Sequence, residues 1–161
     1  MLPVGLPPIA SEITLGDQKF VVKDEFHVTL LWLPAVQELV VKDKKSEEEL
    51  LKTVVKIFHR TDVSFDQFLD DIRLAQHKNA KTIVIMCRLK GIDQFFVELR
   101  KALKIDVPTQ TTHVTLYTLE NGIPIGINNK EQLAGRTRKL TDRDLEIVKK
   151  AIGFNRLKSS S

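Results

Sequence analysis

Two of the chain's four histidines stand in the same tetrapeptide, His-Val-Thr-Leu, which begins at residue 27 and again at residue 113. In each copy a threonine follows the histidine by two positions, so Thr29 accompanies His27 and Thr115 accompanies His113. Imidazole titrates near pH 6.5, so a histidine can donate or accept a proton near neutrality. A threonine hydroxyl can donate a hydrogen bond to a phosphate oxygen. Two such pairs could therefore supply the acid, the base and the hydroxyl donors that phosphodiester hydrolysis needs, without a metal ion.

Each tetrapeptide lies in an apolar run typical of a β-strand, FHVTLLW at residues 26–32 and THVTLY at residues 112–117. Side chains alternate between faces along a strand, so the histidine and threonine of each pair share one face. The apolar residues between them should pack on a core, and Trp32 falls on that core side. The same alternation places Tyr117 on the face of His113. There its ring could stack on a base, its hydroxyl could donate, or it could fill the floor of the site.

The remaining pattern predicts the elements that must position these two strands. Strands are predicted over residues 11–33, with a turn at Gly16–Asp17, and as a hairpin of residues 71–76 and 81–89. The stretch NGIPIGI, residues 121–127, is predicted to turn into a short further strand. Ser46 and Glu49 form a capping box for a first helix. The apolar stripe of that helix is predicted to be Leu50, Leu51, Val54, Val55 and Phe58.

Two more helices are predicted, one over residues 91–105 and one that opens at Thr141 and Asp144. The order is strands, helix, hairpin, helix, strands, helix, with no low-complexity linker. This order predicts a single α+β domain over residues 1–161, built of two lobes with mainly antiparallel sheet. The tail from about residue 158 should be frayed.

Composition sets the class of protein. With 161 residues, of which 42% are hydrophobic and 29% charged, the chain is typical of one globular domain. The single cysteine, Cys87, lies in an apolar run and should be buried, and one cysteine allows no intramolecular disulfide. The first ten residues lack a basic region and contain three prolines, so they do not resemble a secretory signal. We therefore expect a cytoplasmic protein.

Two further features bear on partners. The net charge of +4 favours an anionic partner such as phosphate or nucleic acid. No segment approaches the roughly 18 apolar residues that cross a bilayer, so no membrane association is expected.

Two H-x-T motifs on separate strands, with this order of elements over most of the chain, resemble the 2H phosphoesterase superfamily. Its members include RNA 2′,5′-ligase-like proteins and cyclic nucleotide phosphodiesterases. The resemblance implies a bilobal α+β fold, with mainly antiparallel sheets and flanking helices around a central cleft. It implies that His27, Thr29, His113 and Thr115 line this cleft, with His27 as general acid and His113 as general base.

The same resemblance implies a metal-independent cyclic phosphodiesterase without a cofactor. Its substrate would be a 2′,3′-cyclic phosphate, or a related phosphodiester, at an RNA terminus or on a small nucleotide. Independently of the resemblance, we expect the protein to be a monomer. Some members of the superfamily place a basic residue beside the phosphate. Arg136 and Arg138, in the stretch GRTRK, are the candidates by position for that role.

Two other classes of function stay open. A non-catalytic module could hold an RNA end in the same cleft, although Arg or Lys would bind a phosphate better than histidine does. A metal-dependent hydrolase would need Asp, Glu or Cys ligands beside the histidines, and the sequence shows no such spacing. The two histidines therefore favour the enzyme over the binding module.

Overall fold

A computed structural model describes residues 1–32, residue 36 and residues 47–159 of the chain. The strands are β1 (Leu2–Pro3), β2 (Glu12–Leu15), β3 (Gln18–Val22), β4 (His27–Val28), β5 (Ser64–His77), β6 (Ala80–Lys90), β7 (His113–Leu119) and β8 (Thr137–Lys139). The helices are α1 (Glu47–Arg60), α2 (Ile92–Leu103), α3 (Lys130–Arg136), α4 (Asp142–Ile152) and α5 (Phe154–Ser159).

The strands form one eight-stranded sheet in the order β1-β4-β7-β6-β5-β8. Every pairing is antiparallel, including β3 with the second half of β7 and β2 with β3. The predicted class, α+β with antiparallel sheet, is confirmed. The two strands that carry the histidine motifs, β4 and β7, are direct neighbours in this sheet.

One face of the sheet packs on the main core, and we call it the main-core face. It carries alternate residues of β6, such as Ile83 and Ile85, against apolar side chains of the helices, such as Phe96 of α2 and Val148 of α4. Burying each such side chain contributes about 1.5–3 kcal/mol. We call the other face the minor face. Its small apolar cluster contains Ala75, Val84, Ile125 and Ile127.

Several elements follow the sequence prediction. The β5–β6 hairpin is confirmed and extends further than predicted, and β2 and β3 turn at Gly16, whose φ is 62°. A left-handed φ costs glycine less than any other residue, which explains why glycine stands at this turn. Helix α2 ends before Pro108, and α4 is capped by the Thr141 hydroxyl, which accepts from Asp144 N–H. Cys87 is buried, as expected.

The buried side of α1 is not the apolar stripe that was predicted for this helix. Leu50 and Ile57 are buried, seven positions apart on one side of the helix, whereas Leu51 and Val55 are exposed. The apolar stripe was predicted too wide, because the helix contacts the core along a narrower line than the sequence offers. Its predicted cap, Ser46, lies outside the described residues. Trp32 is 50% exposed, so its predicted core position is wrong.

The segment between β7 and α3 is the largest departure. Residues 122–128 form no strand, although one was predicted, and the α3–β8 unit that follows was not predicted at all. In the described residues, no helix combines the length and the apolar character needed to cross a membrane.

Candidate active site at the β4–β7 pair

The pairing of β4 with β7 brings the two histidine motifs together. Val28 lies opposite Val114 in an antiparallel register, and both side chains are fully buried in the main core. Extended by one residue on either side, this register sets His27 opposite Thr115, and it sets Thr29, the residue that follows β4, opposite His113. All four side chains point to the minor face, since neighbours along a strand alternate. Residues directly opposite have Cβ atoms about 4.5–5.5 Å apart, so each histidine stands beside the threonine of the other motif.

His113 is the more enclosed of the two histidines. Only 7% of it is exposed, whereas His27 is half-buried. Burial lowers the pKa of His113 below 6.5; the hydrogen bond with the Thr111 carbonyl opposes this change, and the charge of nearby His27 adds to it. The neutral form of His113 is therefore favoured near pH 7.

The contact of His113 with Thr111 also bears on which ring nitrogen carries the proton. The Nδ1 atom lies 3.3 Å from the Thr111 carbonyl oxygen, which can only accept. The neutral ring therefore favours the tautomer with its proton on Nδ1. In that tautomer, Nε2 is the atom that can accept a proton.

We expect an NMR titration of the His113 ring to have its midpoint below pH 6.5, because burial disfavours the charged ring. Below about pH 6.5 the unfolded chain then binds more protons than the folded chain, so the free energy of unfolding falls as the pH drops. A His113→Asn variant should lose less stability than the wild type over the same acid range. A ring midpoint at or above 6.5 would contradict the enclosed environment of His113.

Strand β6 and residues 122–128 border the four side chains. Met86 lies opposite His113, and Val84 lies opposite Thr115. Val84 packs in the small apolar cluster of the minor face with Ile125 and Ile127. The hydrogen bonds that fix this segment include one from the Thr111 hydroxyl to the Ile127 carbonyl at 2.8 Å. Another runs from the Ile125 N–H to the Thr82 hydroxyl at 3.3 Å.

Tyr117 does not lie on the face of His113, so that prediction is wrong. The β6–β7 register shifts between Ile83, which pairs with Tyr117, and Val84, which pairs with Thr115, so Leu116 is an extra residue in β7. Such a bulge reverses the alternation beyond it. Tyr117 is fully buried in the main core, and its hydroxyl donates to the Ala10 carbonyl at 3.1 Å. Burial raises its pKa to about 12.

The two predicted arginines lie at the other edge of the sheet. Arg138 is in β8, which is separated from β7 by β6 and β5, or about 14 Å at the usual strand spacing. It pairs with Leu74, a main-core residue, so it belongs to the main-core face. Arg136 ends α3 immediately before β8. The structure therefore does not bring Arg138 to the two histidines.

Sequence reasoning missed the residues of β6 that border the site. Met86 and Arg88 are separated by one position and share the minor face with His113. The alternation in KTIVIMCRLK is a visible signal for which β6 residues share a face. It does not reveal that β6 is the partner of β7, nor the register of that pairing.

In the described ranges, no three His, Cys, Asp or Glu side chains are grouped so that they could hold a metal ion. Comparison of the chain with family models, with curated proteins and with solved structures finds no match.

Proposed function

We propose that the protein is a metal-independent phosphoesterase of the 2H type. It would hydrolyse 2′,3′-cyclic phosphates or related phosphodiesters of RNA ends or nucleotides, at the face of the sheet where the two motif strands, β4 and β7, lie side by side. The observation that carries the proposal is the antiparallel register Val28–Val114. Extended by one residue on either side, this register supports a site in which His27 lies beside Thr115 and His113 beside Thr29 on one face.

The site favours the neutral form of His113, which suits this imidazole to act as the base. Burial, and the charge of His27, favour the neutral ring at His113. Repulsion between two nearby charged rings favours a single proton on the pair. With His27 charged and His113 neutral, the pair holds one acid and one base, which is what ring opening by water needs.

In the proposed reaction, Nε2 of His113 takes a proton from water as the water oxygen bonds to phosphorus. The bond from phosphorus to one ring oxygen breaks, and that oxygen receives the proton of His27. The product is a phosphomonoester beside a free hydroxyl. The hydroxyls of Thr29 and Thr115 donate to the non-bridging oxygens, which hold the phosphate and stabilise its developing charge.

One observation favours a second candidate, an RNA-end-binding module without turnover. His113 is 7% exposed, so little of its ring is open to an attacking water. A binder would hold a terminal phosphate and depend steeply on salt, because its affinity would come largely from charge.

The test is hydrolysis of the four 2′,3′-cyclic nucleotides by the wild-type protein in the presence of a chelator. We expect turnover that chelator does not reduce, with a phosphomonoester as product. Loss of turnover on adding chelator would replace the proposal with a metal-dependent hydrolase. Binding of the nucleotides without turnover would replace it with the binding module.

A further inference from the structure

Strand β6 carries a row of side chains on the minor face that leads away from His113. Ile85, Cys87 and Leu89 all belong to the main core, so the strand alternates regularly over this stretch. The residues between and beyond them therefore share the minor face, in the order Met86, Arg88, Lys90. Met86 faces His113, while Arg88 and Lys90 are exposed.

The pairing with β7 locates Arg88 relative to the histidine. The Cys87 N–H donates to the Thr112 carbonyl at 3.1 Å, and the Thr112 hydroxyl donates to the Cys87 carbonyl at 2.6 Å. These bonds continue the register of the Met86–His113 pair, so Arg88 comes opposite Thr111. Arg88 is thus a diagonal neighbour of His113, and diagonal neighbours on one face are about 7–8 Å apart.

The charge of Arg88 is available for a ligand. Arg88 makes no ion pair with any residue that the structure describes. The next cation, Lys90, is 3.6 Å from a carboxylate oxygen of Asp66, and its side chain is 70% exposed, so this pair is weak. An exposed guanidinium offers a planar set of donors that fits a phosphate.

We propose that Arg88, with Lys90 beyond it, binds the phosphate next to the one that is hydrolysed. The protein then acts on a 2′,3′-cyclic phosphate at the end of an oligonucleotide in preference to a cyclic mononucleotide. A mononucleotide has no second phosphate, so it leaves this position empty. The inference rests on the proposed function, because it takes the pair of histidines as the place of the scissile phosphate.

The kinetic test compares a 2′,3′-cyclic mononucleotide with a trinucleotide that ends in the same cyclic phosphate. We expect the wild type to show a higher kcat/KM on the trinucleotide. Arg88→Ala should lose about tenfold or more on the trinucleotide and little on the mononucleotide, because a charge-assisted hydrogen bond is lost only there. An equal loss on both substrates, or no loss on either, would overturn the proposal.

Arg143→Ala is the matched control. Arg143 is an exposed arginine, so its removal changes the net charge by the same amount as the removal of Arg88. It lies in α4, a helix that packs on the main-core face, away from the proposed site. We expect it to leave both kcat/KM values unchanged. A loss on the trinucleotide as large as that of Arg88→Ala would show that overall charge, and not the place of Arg88, matters.

A binding measurement separates failure of this inference from failure of the proposed function. The probe is a trinucleotide with a 3′-phosphate, titrated by fluorescence anisotropy at several salt concentrations. Arg88→Ala should weaken binding and reduce the slope of log affinity against log salt by about 1, and Arg143→Ala should not. If no substrate is hydrolysed and this difference remains, the hydrolase is overturned and the Arg88 contact stands. If the difference is absent, the Arg88 contact is overturned whatever the turnover.

Discussion

Replacing His113 with alanine is expected to lower kcat for cyclic-phosphate hydrolysis by about 100- to 10,000-fold, the usual contribution of one positioned acid or base. His27→Ala should have an effect in the same range, since each ring carries one of the two proton transfers. The double variant should lose much less than the product of the two single losses, because groups that act in one step are not additive. Steady-state kinetics with chelator present measures all three.

The control for these variants must separate catalysis from folding. His113 is buried, so its removal also changes packing, and the near-isosteric His113→Asn keeps most of the volume while removing the Nε2 base. His77, an exposed residue at the end of β5, is the matched histidine: His77→Ala should keep full activity. Thermal unfolding checks that each variant is folded. Turnover that persists in folded His27→Ala and His113→Ala would remove both residues from the proposed mechanism.

The pairs that could do chemistry were visible in the sequence because they depend on local spacing alone. A histidine and a threonine two positions apart share a face in any regular strand, and the apolar residue between them identifies the buried side. Helix α2 and the β5–β6 hairpin could be predicted for the same reason, since the hydrophobic period and the turn residues are local signals. The sequence therefore predicted two pairs, His27 with Thr29 and His113 with Thr115.

Tyr117 shows where local reasoning ends. The bulge at Leu116 shifts the alternation by one residue, and the cause is the pairing of β7 with β6 at Ile83 and Val84. A bulge depends on the partner strand, which alternation within one strand does not reveal. Regular alternation therefore describes β7 as far as Thr115, but it assigns Tyr117 to the wrong face.

The residues that border the site could not be predicted from the sequence, for a related reason. Arg88 and Met86 become neighbours of His113 only through the register between β6 and β7, two strands that a whole helix separates in the chain. Position along the chain favoured Arg138 instead, which the pairing of β8 with β5 places at the far edge. Contacts between distant segments follow from strand order, and strand order follows from how the whole core packs.

Thr115→Val is expected to lower kcat by about 100- to 1,000-fold, the range for loss of one hydrogen-bond donor to charge that develops in a transition state. Thr29→Val should act similarly, because the register makes the two threonines equivalent partners of the two histidines. Valine matches the shape of threonine and favours strands, so neither change should reduce the free energy of unfolding by much. The expected result is thus a large kinetic loss in a protein of nearly unchanged stability.

Thr14→Val is the matched control, since Thr14 is an exposed strand threonine in β2, away from the β4–β7 pair. It should leave kcat unchanged. The pH dependence adds a second readout: in the threonine variants the limbs of the pH–rate profile should stay in place while the maximum falls, because the hydroxyls stabilise charge and do not exchange the reacting protons. A loss of activity that scales with lost stability would instead make Thr29 and Thr115 structural residues of the sheet. In that case the phosphate would have to be held by other donors on the minor face.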